Sequence, residues 1–422
     1  MPMLNAASYL PSVLEGLKRS SFQDFELLLV DDGSTDGSRE LAEALGAASL
    51  WSGGRKGAGE ARNVGVGQAR APILVFVDAD VVLHPTALAQ IAERFAADPT
   101  LDALMGAYDE APSAPGLVSR FRNLLHAHFH RQAAAEASTF WTGLGAVRRT
   151  AFDEVGGFTL GEILEDVEFG LRLKAAGHRI GLDAKIQGTH LKDWSLASMV
   201  RTDLFKRGIP WIELALQRDG LRDDLNTSLG QRVSVAATAV FLLAVSTGLV
   251  VHGLDFAAPA LGVAAALFLP MLSPGDGKRP GLQALAGLAA LAGAAALALW
   301  IAGDRPAALA IGAAGAWLAA VPQRFEPRPG LSAWTTATLL AAALVLSLTA
   351  LPLSPVTAIA AGAWVVQLGL NSGILATMYR RLGPVGGLGS APLLMIYHLC
   401  CGLCVILGTA KHLARHAEPR PA

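Results

Sequence analysis

The chain has 422 residues, a formal net charge of −1 and 52% hydrophobic residues. That average hides a split: residues 1–225 hold 53 of the Asp, Glu, Lys and Arg side chains at a net −7, and residues 226–422 hold only 16 at a net +6. The near-zero total therefore says nothing about partners, and the charge-poor second part excludes one uniform soluble domain.

Phe25 to Val30, in "FELLLVDD", reads as a buried strand without helical period, and it ends on Asp31 and Asp32. Asp32, Ser34, Asp36, Gly37 and Glu43 also fall at positions 1, 3, 5, 6 and 12 of a calcium loop. Such a loop needs a helix before it and an apolar residue where Arg39 stands, so strand, acidic turn and helix 38–45 is the favoured reading. The loop "GGRKGAGEARNVGVGQAR" follows, with a second helix over 60–70, and then "ILVFVDAD" at 73–80, a strand with both faces covered. Two parallel strands thus deliver Asp31, Asp32, Asp78 and Asp80 to one sheet edge, where ligands of α/β folds bind. An Asp-x-Asp at a strand end can hold a hard divalent cation, which in turn bridges phosphates; a solvated turn is the plain alternative. Residues 162–172 have the pattern of an amphipathic helix with a charged face. In 195–217, Leu196, Met199, Val200 and Leu204 share one face and Arg201 and Arg207 lie elsewhere. That helix either lies along a membrane surface or docks against the apolar segments.

Past the junction at 223–232, stretches without Asp, Glu, Lys or Arg run 233–254, 256–275, 280–303, 306–323, 329–379 and 382–410. A spanning helix needs roughly 20 apolar residues, so seven spans are expected near 233–252, 256–272, 282–302, 306–322, 333–351, 356–377 and 391–410. Lys278/Arg279, Arg324/Arg328 and Arg380/Arg381 occupy alternate loops, which puts the first domain on the cytoplasmic side of an inner or plasma membrane. The tail with Lys411, Arg415 and Arg420 conflicts with seven spans. Cys400, Cys401 and Cys404 all lie in the last apolar segment, where buried free thiols are far commoner than a metal cluster.

The motifs "DDGSTDGS", "ARNVGVGQARAPILVFVDAD", "VRRTAFDEVGGF" and "EDVEFGLRLKAAGHRI" resemble, in order and spacing, those of family 2 glycosyltransferases across residues 2–195. The resemblance implies a GT-A fold, Rossmann-like with a mostly parallel sheet, over 1–225, with interfacial helices at 195–222 and an all-α multi-span transmembrane bundle over 226–422. It implies an inverting enzyme that takes a sugar from a UDP- or GDP-sugar, uses Mg²⁺ or Mn²⁺, and acts on a lipid-linked or membrane-presented acceptor. A nucleic-acid partner is not expected. Carried over by residue, Asp166 is the catalytic base; Asp31, Asp32, Arg62, Asn63, Asp78 and Asp80 serve the nucleotide-sugar. Asp80 and Asp78 hold the metal, with His190 either a further ligand or a structural histidine. Trp141, Gly143, Gly156, Gly157 and Glu165 lie on the acceptor side, and Glu165 is expected to raise the pKa of Asp166 by like-charge repulsion.

Two departures stand out. The family opens with a buried strand before its Pro-x-x-Asn, whereas "MPMLN" stands at residue 1, so that strand is expected to be missing, with five to eight apolar residues upstream. Processive relatives carry Gln-x-x-Arg-Trp after the base, where "LFKRGIPW" stands here, so non-processive transfer is expected. The alternatives are a processive polysaccharide synthase, or a transporter with a regulatory nucleotide-binding domain, for which His398 is the lone ionisable candidate in the spans.

Overall fold

A computed structural model describes residues 1–132, 135–159, 164–218, 227–252 and 355–417. Its first part is α/β: β1 (Pro2–Met3), α1 (Leu10–Lys18), β2 (Leu29–Asp31), α2 (Ser38–Ala44), β3 (Ser49–Trp51), α3 (Ala58–Gln68), β4 (Ile73–Val77), β5 (Val81–Leu83) and α4 (Ala87–Ala97). Then come β6 (Ala103–Tyr108), α5 (Leu117–Gln132), β7 (Leu144–Arg148), α6 (Arg149–Val155), α7 (Glu165–Ala175) and β8 (Ile180–His190). The helices that follow are α8 (Leu196–Arg201), a π-helical turn Thr202–Gly208, α9 (Ile209–Gln217), α10 (Leu229–His252), α11 (Pro355–Leu370) and α12 (Ser372–Ala417).

The strands form two sheets. One is parallel in the order β1-β2-β3, and the other is mixed, β4-β7-β6-β8-β5, with only β6 and β8 parallel. The expectation of one mostly parallel sheet is therefore corrected, and β2 and β4 do not share a sheet edge. The chain opens on the two-residue strand β1, which pairs with Val30 and Asp31. A cleft of about 670 Å³ borders β4, lined by Met1, Leu27, Leu28, Ile73, Val75 and Val77. Phe25 to Leu28, expected as strand, lack regular pairing and are half-buried or exposed, because no described strand covers them on that side.

The core around β4 and β6 has two parts. Leu10, Leu29, Val81, Leu104 and Ile186 anchor one. The other is a ring cluster in which Phe76 meets Phe158 at 5.1 Å and 77°, and Phe158 meets Phe169 at 4.8 Å. Each such pair contributes about 0.5–1.5 kcal/mol beyond its area, and together they fix α7 against β4.

Among the described residues two helices are long and apolar enough to cross a membrane, Leu229–Gly248 and Val385–Arg415. The spans expected at 256–272, 282–302, 306–322 and 333–351 lie outside the described residues. The one at 356–377 is corrected: α11 ends at Leu370, and α12 begins at Ser372 and kinks at Gly383, whose φ is 73°. Helix α12 packs Ile374, Met378, Leu393 and Tyr397 against Phe121, Leu124 and Leu125 of α5, and against Trp194 and Met199. Leu204 packs beside Ile209, Ile212 and Cys404. Met199 and Leu204 of the apolar face of 195–217 thus pack against α5 and α12, while Leu196, Phe205, Lys206 and Arg207 stay exposed.

The cleft predicts unequal neighbours on one strand. Leu29 is fully buried, so Leu29→Ala should cost ~2–5 kcal/mol. Leu28 borders the cleft, so Leu28→Ala should cost less than half as much. Urea denaturation of both variants measures the difference.

Candidate active site

The acidic turn after β2 is consumed by structure. Asp32 is buried; its Oδ1 accepts from Ser52 Oγ at 2.8 Å and the Lys56 amide at 3.0 Å, and its Oδ2 from the Gly57 amide at 2.9 Å. Asp31 accepts from the Ser34 amide at 3.1 Å, and Asp36 from the amides of Ala7 and Ser38. These bonds tie residues 31–38 to the 5–7 segment and to the 52–57 loop. They leave no calcium loop: the turn follows a strand, and Glu43 turns to Arg39. Asp32 shapes the loop that starts α3.

Helix α3 carries Arg62, 5% exposed, into the centre of the site. Its guanidinium donates to Asp78 Oδ1 at 2.8 Å and to Glu165 Oε1 at 2.6 Å, and lies 5.7 Å from the Phe158 ring centroid. Burial opposes its charge, but Asp78, Glu165 and Asp166 outweigh it and hold its pKa above the ordinary arginine value. Asn63 holds the turn beyond: its Nδ2 donates to the Phe158 carbonyl at 2.8 Å and its Oδ1 accepts the Phe158 amide at 3.0 Å. Gly157 sits there with φ 69°, and a Cβ would come 2.9 Å from Asn63 Oδ1, so both backbone and space require glycine. Gly156, φ 81°, closes α6.

Asp166 stands in the first turn of α7, where the helix dipole favours anions. Its Oδ2 accepts from the Thr142 amide and from Thr142 Oγ, both at 3.3 Å. Glu165 beside it points to Arg62, and burial, then Asp166, raise its pKa. Glu168 is buried under Arg172, Thr159 and Arg218 and is structural. Glu162 lies outside the described residues.

The Asp-x-Asp pair divides. Asp78 turns to Arg62, whereas Asp80 Oδ2 lies 3.4 Å from His190 Nε2 at the end of β8. Burial works against the Asp80 anion, but His190 and Lys192 outweigh it and lower its pKa. One carboxylate oxygen and one imidazole nitrogen so close suit a divalent cation such as Mn²⁺, for which mixed O/N donors are common. Trp141 is wedged among Tyr108 at 4.8 Å, His126 at 4.8 Å and His130 at 4.6 Å. A Cβ at Gly143 would fall 2.3 Å from the Trp141 ring. Sequence reasoning missed Asn123, His126 and His130, all on α5; the histidine spacing in "LLHAHFHRQ" is the signal that could have found the last two.

Residues 1–156 match the family model of Glycosyl transferase family 2. The O-antigen chain rhamnosyltransferase of Salmonella typhimurium is 24% identical over 232 residues, 50% of this chain and 73% of that protein. A glycosyltransferase of Streptococcus pneumoniae is 32% identical over 88 residues, 20% of this chain and 29% of that protein. Among solved structures, a mannosyltransferase from Pyrobaculum calidifontis in complex with GDP-Man and Mn²⁺ is 20% identical with a TM-score of 0.43, covering 78% of this chain and 86% of that one.

Removing Arg62 strands two carboxylates. Arg62→Gln should cost ~3 kcal/mol, the low end for breaking a buried pair, because the Asp78 side chain is 36% exposed. Chemical denaturation measures it. A carboxyl with a raised folded pKa stabilises fully below its unfolded value, about 4.3, and that contribution is lost as pH rises through the folded value. Wild-type stability should therefore carry a falling component above that pH which Glu165→Gln lacks; denaturation midpoints from acid to neutral pH test the sign.

Proposed function

We propose, on the premise that the N-terminal region of this chain belongs to glycosyl transferase family 2 and that the protein is a glycosyltransferase, that it moves a sugar from a UDP- or GDP-sugar to a membrane-presented acceptor with inversion. The observation that carries this reading is the convergence of Asp78, Glu165 and Asp166 around the buried guanidinium of Arg62. An inverting displacement needs one carboxylate to take the acceptor hydroxyl proton as attack proceeds. Asp166 fits that role: Thr142 donates to its Oδ2 from two groups and holds it in place. Glu165 is engaged instead by the Arg62 guanidinium, 2.6 Å from its Oε1.

Asp80 and His190 would hold the divalent ion, with Asp78 adjoining, and the ion would offset the charge developing on the departing nucleoside diphosphate. The loop ordered by Asp32, with Asp31 and Asn63, frames the donor side. Trp141, Gly143, Gly156 and Gly157 frame the acceptor side. A membrane acceptor is supported by the two long apolar helices and by the packing of α12 directly on α5 and α8. His398, the candidate of the transporter reading, bonds to Gln231 and Gln367 on α10 and α11, as an interhelical tie does, which favours the transferase reading.

The test is transfer by purified protein from a panel of UDP- and GDP-sugars to membrane lipid extract. Asp166→Asn should lower transfer by ~10²–10⁴-fold, the usual share of a general base. Donor affinity by calorimetry should survive that change. Near-normal transfer by this variant would move the base elsewhere, and full turnover in excess chelator would remove the metal.

A further inference from the structure

We propose that Asn123 is a positioning residue, which fixes the His190 ring so that its Nε2 lone pair, beside Asp80, completes a two-atom seat for the divalent ion. This rests on the transferase reading and deepens it. His190 is 7% exposed and is held at three sides. Tyr108 stacks on it in parallel, ring centroids 4.4 Å apart and 6° between planes. Asn123 Oδ1 lies 2.7 Å from Nδ1, and Asp80 Oδ2 lies 3.4 Å from Nε2. An amide oxygen accepts only, so Nδ1 keeps its hydrogen, and Nε2, the nitrogen facing Asp80, is the one whose proton a cation would displace. Were Asn123 turned to donate through its amide, Nδ1 would hold the lone pair and Nε2–H would point at the seat. A metal-ligating histidine usually needs such a partner on its other nitrogen, and losing it costs ~10–100-fold in affinity.

The location explains why α5 supplies the residue. Asn123 is 3% exposed, and its Nδ2 has no partner among the described residues. The helix is clamped between β6, where His130 donates to the Gly106 carbonyl at 3.0 Å, and α12. The amide is thus set by packing from both sides.

Mn²⁺ titration of the purified protein, read by electron paramagnetic resonance of the free ion, tests the proposal without turnover. Asn123→Leu should weaken Mn²⁺ binding ~10–100-fold, while Asn123→Asp, which can only accept, should bind as well as wild type. Thermal midpoints of both variants separate this from a folding defect, since a purely structural role would not distinguish them by metal affinity. Weak binding by Asn123→Asp, or unchanged binding by Asn123→Leu, overturns the positioning role. If Asn123→Leu binds normally while Asp80→Ala and His190→Ala do not, the metal reading survives without it. Unchanged Mn²⁺ binding in those two variants, or none in wild type, overturns the seat itself.

Discussion

The arrangement of this site depends on one buried cation. Asp78 ends a strand, Glu165 and Asp166 begin a helix, and all three bring negative charge to one place. Without Arg62 their mutual repulsion, in a setting less polar than water, would separate β4 from α7. With it, two hydrogen-bonded ion pairs join those elements, and the Phe76, Phe158 and Phe169 rings pack beside the joint. Burying an arginine is costly in itself, so the pairs are weak evidence for stability and better evidence for position. The position is inherited through the chain: Asp32 orders the 52–57 loop, the loop sets the start of α3, and α3 aims Arg62.

A second axis of support runs through α5. One of its faces carries Asn123, His126 and His130 toward the site, where His126, His130 and Tyr108 grip Trp141. The other carries Phe121, Leu124 and Leu125 against α12. Burial, and then His130, push the His126 imidazole well below its ordinary value, so it packs as a neutral ring. Helix α12 is held further by Arg381 on Glu110 and by Lys411 on Glu213. Trp141 therefore rests on a helix whose far side rests on a long apolar one. A displacement of α12 would be felt at Trp141 through a single layer of side chains.

Much of the first domain was legible in local pattern. Helix 38–45 is found at Ser38–Ala44 and helix 60–70 at Ala58–Gln68, because caps and acidic first turns are short-range signals. The strand read at Phe25–Val30 shrinks to Leu29–Asp31, since pairing depends on a neighbour that periodicity does not reveal. The Asp32 oxygens organise a loop 20 to 25 positions away, which no local pattern announces. The bond between Asn123 and His190 spans 67 residues and leaves no periodic trace, so it became visible only once β8 and α5 were side by side.

The helical part inverts the usual soluble pattern. Inside, Gln231, Ser234, Gln367, Asn371 and His398 form a connected hydrogen-bond network across α10, α11 and α12. Outside, Val240, Leu243, Val250, Val365, Leu399 and Ile406 are exposed. In water such a surface would be driven together, and the polar side chains turned inward satisfy one another across the three helices. Among the described residues the inner faces of these helices carry amides and hydroxyls rather than charges: an amide network can be satisfied between helices, where an ion would stay costly. It follows that the charged contacts between the two parts gather at the helix ends, with Arg381 at the break near Gly383 and Lys411 in the last turns of α12. There both the domain and water are within reach.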